Sequence, residues 1–533
     1  VQSIRLSPTR VVVAEPFSET GLEVLRASGI EVVSTVGASR ADLLAALADA
    51  DGLIVRSETR VDRALLAAGP RLGVVARAGV GVDAIDVAAA TEAGIVVLNT
   101  PAANTLAATE QTFALMLALA RRLPDAVASL RAGRWDRKPF IGVELHGKTL
   151  GIVGLGRIGG AVATRAQAFG MRTIAHDPFI SQSRAEALGV TLHSLEDLLA
   201  AADFVTLHVP LTAQTRGLID AKRLALMQPH AYVVNCARGG VIDEPALLAA
   251  LDANQLAGAA VDVVAVEPPP PDGSGAALHH HPKVVATPHL GGSTFEALER
   301  IATELAHDVA SVLLGGPAAA AVNAPIASGP DAEAVRPFVD LAYRLGKLYP
   351  QLADDASLPR FSLAREGRLA DAEPDAIVTA FLTGLLQATT DRRVTIVNAR
   401  SVAAELGVVV DEHGEAGRGA FAASLRVSGG ATTLAGTVAL GGPRVVEIDG
   451  FEVDAVPAGA LLITRHSDVP GMIGKVGTVL GEAQVNISTM QVSRRDAGGD
   501  AVMILAIDRP ADAPTLDAIR AIGGIRTVRA LEL

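Results

Sequence analysis

The chain is short of cysteine, of aromatic residues and of positive charge, and each shortage closes off a class of function. One cysteine, Cys236, among 533 residues rules out an intrachain disulfide and suits a reducing compartment. Aromatic residues are 3% of the chain, too few for the stacking platforms that hold single-stranded nucleic acid. Asp and Glu number 58 against 46 Lys and Arg, a net charge of −12. That balance argues against a broad nucleic-acid surface, though not against a local basic pocket. The longest unbroken apolar run, Phe113 to Ala120, falls far short of the ~20 residues that cross a bilayer. No basic segment with a cleavage site opens the chain. The expectation is a cytoplasmic protein with neither a membrane nor a nucleic-acid partner, too long for one core and therefore built of several domains.

What the chain does have is glycine at informative spacing. Leu150-Gly151-Ile152-Val153 reads as a buried strand, and Gly154-Leu155-Gly156-Arg157-Ile158-Gly159 follows it directly. In this G-x-G-x-x-G pattern the first glycine makes a tight turn and the second lets a pyrophosphate approach the backbone. The third lets the next helix pack on the strand. N–H groups and the positive end of the helix dipole then face the phosphates. A helix runs to Phe169, Gly170 ends it, and a second strand, Met171 to His176, leads to Asp177. A carboxylate there accepts from both ribose hydroxyls of NAD and repels the extra phosphate of NADP. The unit is a Rossmann-type fold with NAD as its cofactor.

Before it, short apolar runs alternate with helical segments. Val11 to Ala14, Glu31 to Val33, Leu53 to Val55, Val74 to Ala76 and Ile95 to Val97 read as strands. Ser18 to Ala27, Arg40 to Leu47, Asp62 to Ala67 and Ile85 to Ala93 read as the helices between them. Such alternation means a parallel sheet covered on both faces, with ligands bound past the carboxyl ends of its strands. Arg56-Ser57 and Arg77 to Asp83 occupy those positions. Asn104 to Arg121 is a long apolar helix, either buried within the monomer or forming a dimer seam. An extended segment through Trp135 leads from it into the nucleotide fold. The helix Thr294 to Leu314 should return to the first sheet, so that two crossings, near Pro101 and Thr294, join two domains around a cleft. Beyond, Val335 to Tyr349 and Asp375 to Gln387 read as helices. Arg393 to Val397, Ser424 to Ser428, Thr432 to Ala439 and Arg444 to Ile448 read as strands of an α+β domain. Ala460 to Leu533 reads as a ferredoxin-like βαββαβ module.

The expected division is 1–101 with 295–318 for a discontinuous, flavodoxin-like substrate domain and 102–294 for the nucleotide domain inserted in it. An intervening α+β regulatory domain spans 319–457, and the terminal module 458–533.

Three charged residues fall past predicted strand ends of the nucleotide fold: Arg238 in Asn235 to Gly240, Glu267 in Asp262 to Pro268, and His289 in Thr287 to Ser293. Arginine captures a carboxylate bidentately and polarises a neighbouring carbonyl. Histidine exchanges a hydroxyl proton as hydride leaves, and a paired glutamate fixes its tautomer. Each alone is most often a solvated charge or a satisfied surface residue. All three past the strands of one nucleotide fold are what hydride chemistry on a 2-hydroxy acid requires. Three consecutive histidines, His279 to His281, have no cysteine or spaced acid to complete a site, so no metal is expected. Cys236 has no base assigned to it and reads as a small pocket-lining thiol.

With these stretches, Arg56-Ser57-Glu58-Thr59 and Ala76 to Asp83, the chain resembles the D-isomer-specific 2-hydroxyacid dehydrogenases. In its full length it is similar to the long branch that oxidises 3-phosphoglycerate at the first step of L-serine synthesis. The resemblance implies Arg238 on the substrate carboxylate, His289 as acid/base and Glu267 as its partner. It implies an NAD pocket of Gly154, Gly156, Arg157, Ile158, Gly159, Asp177, Cys236, Asp262 and Gly291. Substrate contacts fall on Arg56, Ser57, Gly79 and Val80, with Arg134 or Lys138 as a further cation for the phosphate. The terminal module resembles an ACT domain, a small-molecule sensor that pairs across subunits. It implies L-serine as effector at His466, Asp468 and Asn486, and a homotetramer. Two other functions remain open: reduction of a non-phosphorylated 2-oxo acid such as hydroxypyruvate or glyoxylate, and NAD sensing without turnover. The loop after Glu267, Pro268-Pro269-Pro270-Pro271-Asp272-Gly273-Ser274-Gly275, departs from the family by its length.

Overall fold

The computed structural model describes residues 8–316, 318, 320–325, 332–354, 359–417 and 421–533. Four sheets follow one another along the chain. The first has strands β1 (Arg10–Val13), β2 (Glu31–Ser34), β3 (Gly52–Val55), β4 (Val74–Arg77) and β5 (Val96–Leu98), in the order β2-β1-β3-β4-β5. All pairs are parallel. This is the flavodoxin-like order. Successive residues of a strand face opposite sides, and both sides are covered here. Val11, Val13, Ile54 and Ala76 pack against Leu305 and Val309 of the helix Phe295–Leu313. Val12, Leu53, Val55 and Val75 pack against Leu43, Leu47 and Leu65 on the other side. The helix after the nucleotide fold therefore does return to the first sheet. Residue 319, where a new domain is expected to start, lies outside the described residues. The chain just after it still borders this sheet, because Ala321 bridges Leu98 and the Val322 N–H donates to the Val97 carbonyl at 2.7 Å.

The second sheet holds β6 (Thr149–Val153), β7 (Arg172–His176), β8 (Thr191–Leu192), β9 (Phe204–Leu207), β10 (Tyr232–Asn235), β11 (Gly258–Val261) and β12 (Val284–Ala286). Its order is β12-β11-β10-β9-β6-β7-β8, again all parallel. Strand order reverses between β6 and β9, and the glycine turn sits at that switch point, where such sheets bind ligands. The helix Thr105–Ala120 buries Phe113, Met116 and Leu119 against Leu150 and Ile152 of this sheet. The segment expected to be extended after it contains a second helix, Leu123–Arg131. Arg122 takes a left-handed backbone (φ 49°) that breaks the first helix. Pro124 then suits the first turn of the next, where its missing N–H removes no bond.

The third sheet comprises β13 (Arg360–Gly367), β14 (Val409–Glu415), β15 (Ala423–Gly429), β16 (Thr432–Ala439), β17 (Gly442–Ile448) and β18 (Phe451–Ala455), in the order β14-β13-β15-β16-β17-β18. It is antiparallel except for β13–β14. Two helices, Ala332–Leu352 and Asp375–Thr389, cover it. They cross at Gly346 and Gly384, where an added Cβ would lie 2.2 Å from the Phe381 carbonyl and 2.1 Å from the Tyr343 carbonyl. Arg393 to Val397 does not form the expected strand. The Asn398 side chain accepts from the Thr395 N–H (2.8 Å) and donates to the Arg393 carbonyl (3.0 Å), which curls the segment into a turn. Its donors reach the first domain instead. Arg393 bonds the Pro70 carbonyl (3.2 Å) and the Leu72 carbonyl, and the Thr395 hydroxyl bonds the Gly94 carbonyl (3.0 Å).

The fourth sheet is antiparallel, with β19 (Ala460–Ser467), β20 (Ile487–Arg494), β21 (Asp500–Ile507) and β22 (Ile525–Glu532) in the order β20-β21-β19-β22. Helices Met472–Glu482 and Ala513–Arg520 complete the βαββαβ module. Leu461, Ile463, Val502 and Ile504 share one buried cluster with Leu341, Leu345 and Phe361 of the third unit. Among the described residues no helix is long and apolar enough to cross a membrane.

Candidate active site

Each glycine of the motif does a separate job. Gly154 has φ +92°, and a Cβ there would meet the His208 carbonyl at 2.6 Å. At Gly159 a Cβ would lie 2.0 Å from the Gly154 carbonyl, so only glycine lets the helix Arg157–Ala168 seat against the turn. Gly156, at the start of that helix, has nothing within 4 Å. The open cradle and the helix N–H groups behind it fit a pyrophosphate. Arg157 and Ile158 form the first turn facing the cradle. Past the end of β7, the Asp177 carboxylate accepts from the Leu155 N–H (2.8 Å) and the Phe179 N–H (2.9 Å), which ties the ribose-side acid to the glycine turn.

His289, with φ 55°, presents its Nδ1 to the Glu267 carboxylate at 2.6 Å. Burial on its own would raise the Glu267 carboxyl. The hydrogen bond and charge of His289, the Val264 N–H and the charge of Arg238 outweigh it and hold the group below the usual carboxylate range. The loop carrying His289 is fixed by Asp262, which is 2% exposed. Its carboxylate accepts from the N–H groups of Leu290 and Gly291 (2.8 Å each) and from the Thr287 hydroxyl (2.6 Å). Gln111 also donates to Thr287 at 3.1 Å. The loop carrying Glu267 is held by Glu244, which accepts from the Ala265 N–H (2.5 Å) and the Ser274 hydroxyl (2.6 Å). Gly239 lies directly against this loop, and a Cβ on it would stand 1.9 Å from the Val264 carbonyl oxygen. Burial, aided by the Asp262 charge and against a Thr112 hydrogen bond, pushes the Cys236 thiol up to about 12. It is no nucleophile at neutral pH.

Arg238 reaches across the cleft. Its Nε donates to Asp83 of the first domain at 3.2 Å, and its guanidinium lies where a Cβ on Gly81 would stand. Beside it, Arg77 donates from Nε to the Arg56 carbonyl at 3.1 Å. Its Nη1 lies where a Gly79 side chain would begin. Burial pushes Arg77 down to about 10, and the charges of Arg238 and Arg56 add to the fall, opposed by Asp83 and Glu15. Burial is the larger part of that fall, and the two neighbouring guanidiniums add to it. The Gly79 carbonyl accepts from the Thr100 N–H (3.0 Å) and the Val80 carbonyl from Asn99 (2.6 Å), which fastens this loop to the hinge side of the domain. The backbone of Arg56 and Ser57 is held by Glu15 (2.9 and 3.0 Å).

Arg134 stands apart from these groups. It follows the helix Leu123–Arg131 on an exposed stretch, and its guanidinium faces Asp136 at 3.5 Å. In the terminal module His466 is buried beside the Thr464 hydroxyl (3.2 Å), and burial holds it below the usual histidine range. Asp468 bonds Arg494 (2.8 Å) and the Gly498 N–H (3.2 Å), which keep it below the usual carboxylate range. Asn486 is exposed and follows the helix Met472–Glu482, whereas Asp468 precedes it, so one chain does not bring the two together. His466 lines instead a cavity of about 570 Å³ between the third and fourth sheets, with Arg465, Arg495 and Arg526. Of the histidine triplet, His281 pairs with Asp252 at 3.4 Å.

Glu15, Asp83, Gln111 and Glu244 had no assigned role in the sequence. A signal exists for Asp83, which closes the stretch past the fourth strand, and for Glu15, an acid directly after the apolar run of β1; both stand past carboxyl ends of parallel strands.

An open phosphate cradle, an acid past the second strand, and an imidazole–carboxylate pair beside a guanidinium make up an NAD-dependent dehydrogenase. Residues 113–291 match the D-isomer specific 2-hydroxyacid dehydrogenase NAD-binding domain. Residues 334–449 match the D-3-phosphoglycerate dehydrogenase intervening domain, and residues 460–524 the ACT domain. D-3-phosphoglycerate dehydrogenase of Synechocystis sp. is 42% identical over 98% of this chain and 95% of its own length. That of Methanocaldococcus jannaschii is 40% identical over 98% of this chain and all of its own. Among solved structures, D-lactate dehydrogenase from Aquifex aeolicus complexed with NAD and lactic acid superposes with a TM-score of 0.52 at 28% identity, over 58% of this chain and 96% of that one. The chain belongs to the D-3-phosphoglycerate dehydrogenase family.

Proposed function

We propose that this chain oxidises D-3-phosphoglycerate to 3-phosphohydroxypyruvate with NAD, the first step of L-serine biosynthesis. The observation that carries the reading is the gathering of Arg77, held to the Arg56 carbonyl at 3.1 Å, and Arg238, held to Asp83 across the cleft at 3.2 Å, beside the His289–Glu267 pair at 2.6 Å. A substrate with a carboxylate at one end and a phosphate at the other supplies anions for these guanidiniums. Arg238 exchanges Asp83 for the substrate carboxylate and fixes C2. Glu267 occupies Nδ1 of His289, leaving Nε2 to take the C2 hydroxyl proton, and its charge stabilises the imidazolium that results. The NAD that the glycine turn and Asp177 would hold would supply the hydride acceptor for C2. Arg134 supports phosphate binding only if another subunit brings it to the cleft.

L-serine fits the terminal module as effector, with the carboxylate of Asp468 for its ammonium group. Because Asp468 and Asn486 lie at opposite ends of one helix, a paired module is needed to unite them, in keeping with a homotetramer. A cytoplasmic setting accords with the single cysteine. Steady-state NADH formation from 3-phosphoglycerate tests the substrate. Turnover of hydroxypyruvate or glyoxylate in its absence would replace the assignment by a non-phosphorylated reductase. His289→Ala with NAD binding intact and turnover abolished separates an enzyme from an NAD sensor. Inhibition by serine that survives Asn486→Ala would remove the effector assignment.

A further inference from the structure

Four consecutive backbone N–H groups of the loop after β3 converge on one carboxylate. Glu15 Oε1 accepts from Arg56 and Thr59, both at 2.9 Å, and Oε2 accepts from Ser57 (3.0 Å) and Glu58 (3.1 Å). Successive N–H groups that point to one spot form an anion-binding nest. Here the nest is filled by the protein's own side chain, 6% exposed at the carboxyl end of β1. On the far side of the same residue, Arg77 Nε holds the Arg56 carbonyl at 3.1 Å. Arg56 is thus gripped through both of its peptide groups, and only its side chain is free to move.

We infer that Glu15 is a positioning residue for the substrate: it presets the loop 56–59 so that Arg56 meets the substrate anion, and it denies the nest to that anion. The inference rests on the reading of Arg56 and Ser57 as substrate contacts. The chemistry follows from competition. With no resident carboxylate, four inward N–H groups would be left without acceptors, and a phosphate or carboxylate entering the cleft would be drawn to them rather than to the guanidinium. Burial works against ionisation of Glu15, but the N–H groups of Arg56, Thr59 and Glu58 outweigh it and keep the carboxyl ionised through the neutral range. The same charge faces Arg77, so Glu15 also supports that guanidinium from behind.

Glu15→Gln keeps the shape but turns an amide N–H₂ toward two of the four donors. Glu15→Asp keeps the charge and shortens the reach. For Glu15→Gln we expect KM for 3-phosphoglycerate to rise about 10- to 100-fold, as displaced positioning groups do, with kcat within about threefold and the Kd for NAD unchanged. Glu15→Asp should fall between the two. Combined with Arg56→Ala, Glu15→Gln should add little, since both act through one contact. A KM within about twofold of wild type, or effects of the two substitutions that multiply, would overturn the inference. Equal losses in KM, kcat and NAD affinity would show a merely structural role and overturn it as well. Failure of the substrate assignment is read separately, in the wild type. The KM comparison then runs on whichever 2-hydroxy acid the wild type oxidises.

Discussion

Gly239 sits where two catalytic loops touch, and Gly239→Ala puts the geometry under direct strain. An added Cβ would stand 1.9 Å from the Val264 carbonyl oxygen and 2.1 Å from its carbon, both backbone atoms. Ordinary contact begins at 3.4 Å, so the loops must part by about 1.5 Å, the difference between 3.4 and 1.9 Å. No side chain can swing away to absorb it. One loop carries Arg238 next door. The other is anchored by the Val264 N–H to Glu267 at 3.1 Å and by the Ala265 N–H to Glu244 at 2.5 Å. Overpacking of this kind costs about 1–3 kcal/mol of stability. A displacement near 1 Å at reacting groups costs about 100-fold in rate. We therefore expect kcat to drop about 100-fold while urea unfolding records a loss of only ~1–3 kcal/mol. NAD affinity should fall far less than kcat, because the phosphate cradle lies past a different strand, although Cys236 and Asp262 flank the strained contact. The reasoning fails if the variant turns over within about threefold of wild type, or if NAD binding collapses along with kcat.

Arg238→Ala removes a charged hydrogen-bonding partner worth about 1.5–3 kcal/mol, so kcat/KM should fall about 10- to 150-fold. A fall smaller than threefold would show the carboxylate to be held elsewhere. Asp177→Asn keeps an acceptor for the Leu155 N–H but loses the charge beside the ribose. The preference for NAD over NADP should narrow by about tenfold or more, read as the ratio of kcat/KM values. Asp203 lies at the foot of β6, where burial would raise its carboxyl but the Thr149 N–H, His230 and Lys148 hold it below its ordinary value of 3.8. A depressed carboxylate stabilises the fold above that ordinary value and loses the contribution as pH falls through its own lower pKa. Asp203→Asn should thus be less stable than wild type by ~1–3 kcal/mol at neutral pH, and the gap should close in acid. A gap independent of pH would refute the charge-based account.

The features written into local spacing were legible before any coordinates. The glycine turn could be read because each position has one steric demand, met at Gly154, Gly156 and Gly159 in three different ways. The alternation of β-branched runs with alanine-rich segments likewise carried the parallel sheets, since a strand buried on both faces must be apolar throughout. What escaped depends on partners remote in sequence. Glu15 acts on amides 41 to 44 positions away, and no periodicity encodes the direction in which a loop's N–H groups point. Arg393 to Val397 has the composition of a strand, but the Asn398 side chain captures its backbone first. The helix Leu123–Arg131 was hidden by Pro124, which ends a helix in most positions and begins one here. Asp468 and Asn486 look like neighbours in sequence, and only the intervening helix reveals how far apart they are held.

The curl at Arg393 to Thr395 has a mechanical corollary. Its bonds land on Pro70 and Leu72, just ahead of β4, and on Gly94, just ahead of β5. The tail module shares its buried cluster with the unit that carries this curl. Any torque applied at the tail is thereby geared into the strand whose last residue is Arg77, on the side of the cleft that takes hold of anions. The nucleotide half meets this path through its two crossings and through the Arg238–Asp83 contact across the cleft, at 3.2 Å. An effector bound at the far end is therefore expected to change KM for the hydroxy acid more than Kd for the dinucleotide.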